Sequence, residues 1–185
     1  MKTHYRAVVI GGGVIGASTL YHLAKMGWND VVLLEKIEYT SGSTWHAAGL
    51  LPLFNMSYSV GKIHKYSVDL YQTLEVETGQ HVSFHKTGNL RLARNQERMD
   101  EYKRYCGTAS TIGVPFDMIG PSEIKRLWPF AKVDDLVGAI YHPDDGHVAP
   151  VDVTMALLKG ARTNGAEHTL KLKSLPWRKN RMMNG

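Results

Sequence analysis

Arg6-Ala7-Val8-Val9-Ile10-Gly11-Gly12-Gly13-Val14-Ile15-Gly16 is the stretch that decides the fold. Ala7 to Ile10 is a continuous apolar run, the composition of a parallel strand buried on both faces, and it stops at three glycines. The spacing Gly11-x-Gly13-x-x-Gly16 matches the dinucleotide fingerprint. Gly11 allows the tight turn off the strand, Gly13 lets the backbone approach a pyrophosphate, and Gly16 lets the next helix pack close to the sheet. That helix is expected from Val14 to about Met26, with Ala17, Leu20, Leu23 and Ala24 inward and Gly27 as its stop. Its first amides and its dipole favour an anion, which makes Val14 and Ile15 candidate phosphate contacts beside the glycines.

Val31 to Leu34 reads as the second buried strand, ending in Glu35 nineteen residues past Gly16. A carboxylate there accepts hydrogen bonds from a ribose diol and repels a 2′-phosphate, with Lys36 adjacent; the opposing reading is a solvated strand end. The fingerprint alone does not separate FAD from a nicotinamide cofactor, since both carry an ADP half. Thr40-Ser41-Gly42-Ser43-Thr44 is a hydroxyl- and glycine-rich turn able to donate to a phosphate or ribitol and to cap a short helix. Trp45-His46-Ala47-Ala48-Gly49 then sets one imidazole among small residues, as a flat ring close to backbone requires, which favours FAD.

These segments together, VVIGGGVIGASTLYHLAKMG, VVLLEK and GSTWHAAGL, resemble the FAD-dependent amine oxidoreductases of the D-amino-acid-oxidase superfamily, closest to the dimethylglycine dehydrogenase and sarcosine dehydrogenase branch. The resemblance implies covalent attachment of the flavin at His46, contacts to the ADP half from Gly11, Gly13, Gly16 and Glu35, and contacts nearer the pyrophosphate or ribitol from Ser43 and Thr44. It also places Ala48, Gly49 and Leu50 beside the cofactor. The implied reaction oxidises a secondary or tertiary N-methylated amino acid by hydride transfer to flavin. Tetrahydrofolate enters only in a longer form, and an electron-transfer protein is a further implied partner.

Composition agrees with a globular chain. It has 185 residues, 43% hydrophobic and 21% charged, enough for one ordinary domain but short for a complete two-domain enzyme. No apolar run reaches a membrane-spanning length, and the first strand begins too early for a leader segment, so the expected compartment is the cytoplasm, with the mitochondrial matrix as alternative. The net charge of +5 resides in the last stretch: Lys171, Lys173, Arg178, Lys179 and Arg181 stand without an acid, while the other 17 basic residues balance the 17 acids. A nucleic-acid role is therefore not expected. Cys106, the single cysteine, reads as a small apolar residue on a helix.

Beyond Gly49, Leu50 to Asn55 reads as an apolar loop, and Ser57 as the cap of a long helix to about Thr78, with Ile63, Tyr66, Leu70 and Leu74 inward and Gly79 ending it. Val82 to His85 and Leu90 to Ala93 read as two strands of an antiparallel sheet joined by a turn at Gly88-Asn89. A polar helix over about Asn95 to Thr111, a strand at Phe116 to Ile119, helical turns at Pro121 to Trp128, a strand at Gly138 to Tyr141 and a helix over Val151 to about Thr163 follow. His85 and His142 read as surface or loop histidines; His147 is a candidate to line the pocket. Arg91 is a candidate partner for a substrate carboxylate, weighed against a solvated strand residue. No catalytic residue is assigned, and no metal-ligand spacing is present.

The expected fold class is thus α/β: a Rossmann-like, FAD/NAD(P)-binding βαβ unit with an inserted α+β substrate-domain segment, truncated relative to the resembled family. Residues 1–56 and 143–172 are assigned to an incomplete FAD-binding domain and 57–142 to a partial substrate domain. Residues 173–185 form a basic irregular tail. The leading functional expectation is the N-terminal part of an FAD-dependent dehydrogenase acting on a small N-methylated amine. The alternatives are a catalytically inactive FAD-binding fragment, whose unpaired sheet edges favour misassembly, and a nicotinamide-dependent reductase.

Overall fold

Val31, Val32 and Leu33 are almost wholly buried because their strand is paired in parallel on both sides, with Ala7–Ile10 on one and Glu167–Leu170 on the other. The computed structural model describes Lys2 and residues 4–170. In chain order the first elements are β1 (Ala7–Ile10), α1 (Val14–Lys25), β2 (Val31–Glu35), a 3-10 turn (Ser43–His46), β3 (Leu50–Leu51) and α2 (Tyr58–Thr78). Then come β4 (His85–Lys86), β5 (Asn89–Ala93), α3 (Gln96–Ile112), β6 (Asp117–Ile119) and α4 (Pro121–Leu127). The last are β7 (Gly138–His142), β8 (Gly146–His147), α5 (Pro150–Thr163) and β9 (Glu167–Leu170). The chain divides into two units: Met1–Ala47, Glu77–Gln80 and Pro150–Gly185; and Ala48–Val76 with His81–Ala149.

The first unit is a parallel sheet in the order β1-β2-β9, with Val9 opposite Leu33 and Leu33 opposite His168. α1 packs on β1 and β2, α5 packs on β9, and the two helices pack on each other. Ala17, Leu20, Tyr21 and Ala24 form the inward stripe of α1; Leu23 is only half-buried, and Tyr21 takes the place expected for it. Gly160 lets α5 approach α1, since a Cβ there would lie 2.9 Å from the Tyr21 ring. The Tyr21 hydroxyl donates to Glu77 at 2.5 Å and Lys25 pairs with the same carboxylate at 2.9 Å. β1 departs from the sequence expectation of burial on both faces. Among the described residues it is the sheet edge, and Val8 and Ile10, which alternation puts on one face, are 49% and 81% exposed.

The second unit holds two small antiparallel sheets, ordered β3-β8-β4 and β5-β7-β6. Its main core joins Leu53, Val68, Ala93, Tyr102, Tyr105 and Ile140; a smaller one gathers Ile124, Ala131, Leu136 and Ala139. α3 is capped by Asn95, whose side chain accepts from the Arg98 amide at 2.9 Å, and is ended by Gly113 at φ +82°. Three expectations are corrected here. Leu50 to Asn55 is not wholly loop, since β3 pairs with β8. β4 and β5 do not form a hairpin: β4 pairs with β8 and β5 with β7. The amides of Thr87 and Gly88 both donate to the Asp145 carbonyl, and Gly88 sits at φ +70°, so the chain crosses from one sheet to the other there. In α2, Ile63 and Tyr66 are exposed, whereas Gly61 and Val68 are buried with Leu70 and Leu74. Gly61 sets this rotation, because its surface lies so close to α3 that a Cβ would be 2.6 Å from Ile112.

The division of the chain falls after Ala47 and Ala149, whereas the sequence reading draws its lines after residues 56 and 142. Pairing of β3 with β8 and of β8 with β4 puts residues 48–56 and 143–149 in the second unit. After α5 the chain enters the first sheet as β9, ending at Leu170; the basic tail lies outside the described residues. No helix among the described residues is long and apolar enough to cross a membrane.

Gly160→Val places a branched side chain against Tyr21 and is expected to cost about 2 kcal/mol by overpacking. The check is the urea midpoint of the purified chain, which an accommodating interface would leave unmoved.

Candidate functional site

The turn from β1 into α1 is built by close backbone approach. Gly11 adopts φ +109° and its amide donates to the Leu34 carbonyl at 2.9 Å, which ties the turn to β2. A Cβ on Gly16 would lie 1.9 Å from the Gly11 carbonyl oxygen and 3.4 Å from Leu33, so Gly16 is demanded first by the turn itself and only second by packing on the sheet. Gly12, the unassigned middle glycine, is equally constrained: a Cβ there would lie 2.6 Å from the Tyr39 ring and 3.0 Å from Glu35.

Glu35 closes this structure from the other side. One carboxylate oxygen accepts from the Gly12 amide at 2.7 Å and the other from the Ile37 amide at 2.8 Å. These two amides, Gly12 foremost, hold the carboxyl below its usual range, so it is ionised at neutral pH. Each oxygen keeps a second lone pair for a further donor.

The segment after β2 returns to cover the same turn. The Thr40 amide donates to the Gly12 carbonyl at 3.0 Å, with Thr40 buried at φ +67°, a left-handed conformation costly for a β-branched residue. Thr44, buried in the 3-10 turn, accepts from the Val14 amide at 2.9 Å and thereby caps α1, for which Gly13 has no side chain to offer. Its own hydroxyl proton is left to donate elsewhere. Of the amides at the start of α1 that have no partner within the helix, Val14 is thus spent, while those of Gly13, Ile15 and Gly16 line a cavity of about 510 Å³.

That cavity brings together Gly11, Gly13, Val14, Ile15, Gly16, Glu35, Ser43 and Thr44. Lys36 lies beside it in a groove of about 340 Å³ with Ile10, Leu34 and Glu35. His46 is the last residue of the 3-10 turn and is exposed, outside both linings, as is Trp45 at 68%. Ala48, Gly49 and Leu50 belong to the second unit, where Gly49 takes φ +74° and Leu50 is exposed. Gly12 and Tyr39 carry no role in the sequence reading, and Thr40 enters it only as the first residue of the hydroxyl-rich turn; the third consecutive glycine, superfluous to the fingerprint, is the signal for Gly12.

The histidines of the second unit are redistributed. His142 is not a surface residue: it is fully buried, 3.1 Å from the Tyr105 hydroxyl, and burial, with Arg91 assisting, lowers its pKa to about 4. His85 and His147 lie side by side across β4 and β8 with ring centroids 5.0 Å apart. Arg91 is not a solvated strand residue either, for its guanidinium stacks 4.4 Å over Phe54 and its Nε is buried. Asp145, at 1% exposed, accepts from the Leu53 amide at 2.9 Å, and burial pushes its carboxyl up to about 6. Cys106 is half-buried against the main core, which raises its thiol. Among the described residues no cluster of three or more His, Cys, Asp or Glu side chains is placed to hold a metal ion.

A parallel βαβ unit with a glycine turn, a free helix N-terminus and an acid ending the second strand is the Rossmann-like class of dinucleotide-binding fold. The FAD dependent oxidoreductase family matches residues 6–170. The chain belongs to that family of FAD-dependent oxidoreductases. It is 47% identical over 164 residues to the mitochondrial dimethylglycine dehydrogenase of Rattus norvegicus, covering 89% of this chain and 19% of that protein. It is 42% identical over 161 residues to the mitochondrial sarcosine dehydrogenase of Homo sapiens, covering 86% of this chain and 18% of that one. Among solved structures, L-proline dehydrogenase from P. horikoshii superposes with a TM-score of 0.84 at 30% identity, over 92% of this chain and 45% of the other. The chain thus spans about a fifth of the length of these curated relatives.

Two outcomes are expected from this geometry. Gly16→Ala forces a methyl onto the Gly11 carbonyl and is expected to cost about 2 kcal/mol or more in chemical denaturation, whereas Gly42→Ala, with open space around it, leaves the midpoint within error. The second concerns pH. His142 binds its proton less well folded than unfolded, so it adds stability as pH rises from about 4 to 6.5; Asp145 binds its proton better folded, so it removes stability as pH rises from about 4 to 6. Removing the opposing group with Asp145→Asn is expected to steepen the rise of melting temperature between pH 4.5 and 6.5, and an unchanged or shallower rise contradicts the assignment.

Proposed function

We propose that the chain is the N-terminal portion of an FAD-dependent dehydrogenase that oxidises small N-methylated amino acids. The observation that carries this reading is the cavity in which the free amides of α1 and the ionised Glu35 line one surface. Three amides without internal partners, at the positive end of a helix dipole, suit the two charges of a pyrophosphate. A carboxylate already fixed by two amides, with lone pairs to spare, suits a ribose diol and disfavours a 2′-phosphate. The residues present therefore fit the ADP half of FAD.

In this reading Gly11, Gly13, Val14, Ile15 and Gly16 hold the pyrophosphate, Glu35 holds the ribose with Lys36 beside it, and Ser43 and the donating proton of Thr44 reach the pyrophosphate or ribitol. His46, exposed at the end of the 3-10 turn, is the proposed covalent attachment point, and Ala48, Gly49 and Leu50, which follow it in the sequence, are proposed as further cofactor contacts. FAD, when bound, accepts the hydride from the carbon bonded to the amine nitrogen. The first unit is proposed as the FAD-binding part and the second as part of the substrate domain. Tetrahydrofolate and an electron-transfer protein are proposed as partners of a longer form only. The relatives' mitochondrial designations favour the mitochondrial alternative over the cytoplasmic one.

A second reading, an FAD-binding fragment without activity, is favoured by the exposed edge of β1 at Val8 and Ile10. Membership in an FAD-dependent family takes precedence over the nicotinamide alternative.

The deciding experiment is the visible spectrum of the purified chain before and after acid precipitation, with His46→Ala alongside. A yellow pellet that turns colourless in the variant supports attachment at His46. Yellow in the supernatant keeps FAD and ends the covalent assignment, and a colourless folded chain supports neither.

A further inference from the structure

In the second unit three buried polar atoms on three different side chains have no hydrogen-bond partner: Arg91 Nε, His142 Nδ1 and Asp145 Oδ2. They belong to one neighbourhood. Arg91 lies opposite Ile140 on β7, so His142, two residues further along that strand, points to the same face of the sheet as Arg91. Phe54 stacks against the Arg91 guanidinium at 4.4 Å and meets the His142 ring edge-on at 6.1 Å. The charge of Arg91 acts on both His142 and Asp145. Tyr105, bonded to His142, feels the Asp145 carboxylate.

The hydrogen bonds already present fix the chemistry of the three orphans. Taking the Tyr105 hydroxyl as donor to the Leu53 carbonyl at 3.3 Å assigns its oxygen as acceptor toward His142 Nε2 at 3.1 Å, and with it the imidazole proton to Nε2. Nδ1 is then a bare lone pair. Asp145 Oδ2, when ionised, is also an acceptor, and Arg91 Nε–H is a donor. One donor and two acceptors do not pair off among themselves: an Arg91–Asp145 contact orphans His142 Nδ1, and an Arg91–His142 contact orphans Asp145 Oδ2. A neutral Asp145 can link all three, its Oδ2 accepting from Arg91 Nε–H and donating to His142 Nδ1, so the mismatch is a property of the ionised carboxylate that prevails above pH 7. Leaving such an orphan buried and unbonded forfeits its hydration with nothing in return.

We propose that Arg91, His142 and Asp145 form a buried binding site for a single ordered water, which accepts from Arg91 Nε–H and donates to His142 Nδ1 and Asp145 Oδ2. Two donors and one acceptor are what water supplies, and about three bonds is its usual number inside a protein. Ammonium has no lone pair for Arg91, and chloride has no proton for the other two. The site's consequence is local. Asp145 Oδ1 holds the Leu53 amide and Tyr105 holds the Leu53 carbonyl, so the same network clamps both backbone polar groups of Leu53, two residues past β3.

The test is a crystal structure of the chain grown above pH 7 at a resolution that shows ordered water, together with magnetic relaxation dispersion in solution, which counts long-lived internal waters. Density within hydrogen-bond distance of all three atoms is expected, as is the loss of one long-lived water in Arg91→Met. Direct contact between Arg91 and Asp145 in the wild-type crystal, or an unchanged water count in a folded Arg91→Met, overturns the proposal. Should that variant fail to fold, the wild-type density decides alone.

Discussion

The hydrogen bond from the Gly12 amide to Glu35 ties the end of the second strand to the turn after the first, and the rest of the candidate site depends on it. It draws Gly12 so close to Glu35 and Tyr39 that no side chain fits there. With Gly12 held down, its carbonyl receives the Thr40 amide, and the segment after β2 is brought back over the turn. That return places Thr44 at the start of α1, where it takes one helix amide and leaves its neighbours lining the cavity. A carboxylate thus shapes the backbone that surrounds it as well as offering lone pairs to a ligand.

Much of this was legible in the sequence because the βαβ unit is local. β1, α1 and β2 lie within one continuous stretch, their periodicities are plain, and the glycines and Glu35 sit at spacings dictated by backbone geometry. The family resemblance rested on the same residues, and family membership bears it out. What the sequence concealed are facts of pairing and burial at long range. Whether Ala7–Ile10 is central or at the edge depends on strand order, which the strand's own composition does not encode. The separation of β4 from β5 depends on both being partnered by distant later segments, β8 and β7. A helix stripe is ambiguous when apolar residues occur on both faces, and α2 was resolved by Gly61, a residue that no hydrophobic pattern marks. The roles assigned to His46, Ser43 and Lys36 stay proposals, because their side chains are exposed and their geometry is set by a ligand, not by the protein core.

The polar interior of the second unit shows why loop sequences mislead. Pro143-Asp144-Asp145-Gly146-His147 has the composition of a solvent-facing turn, yet Asp145 is buried and its carbonyl receives two amides from the crossing between β4 and β5. Its side chain accepts from the Leu53 amide and its carbonyl from Thr87 and Gly88, so one residue pairs three backbone donors at the crossing of two sheets.

Trp45 stands immediately before His46, with its indole largely open to solvent. An exposed indole emits in the near ultraviolet and the visible band of an oxidised isoalloxazine overlaps that emission, so the turn carries a resident optical donor next to the place where an acceptor is proposed to sit. Occupancy of the turn is therefore readable as quenching, in unmodified protein and without turnover.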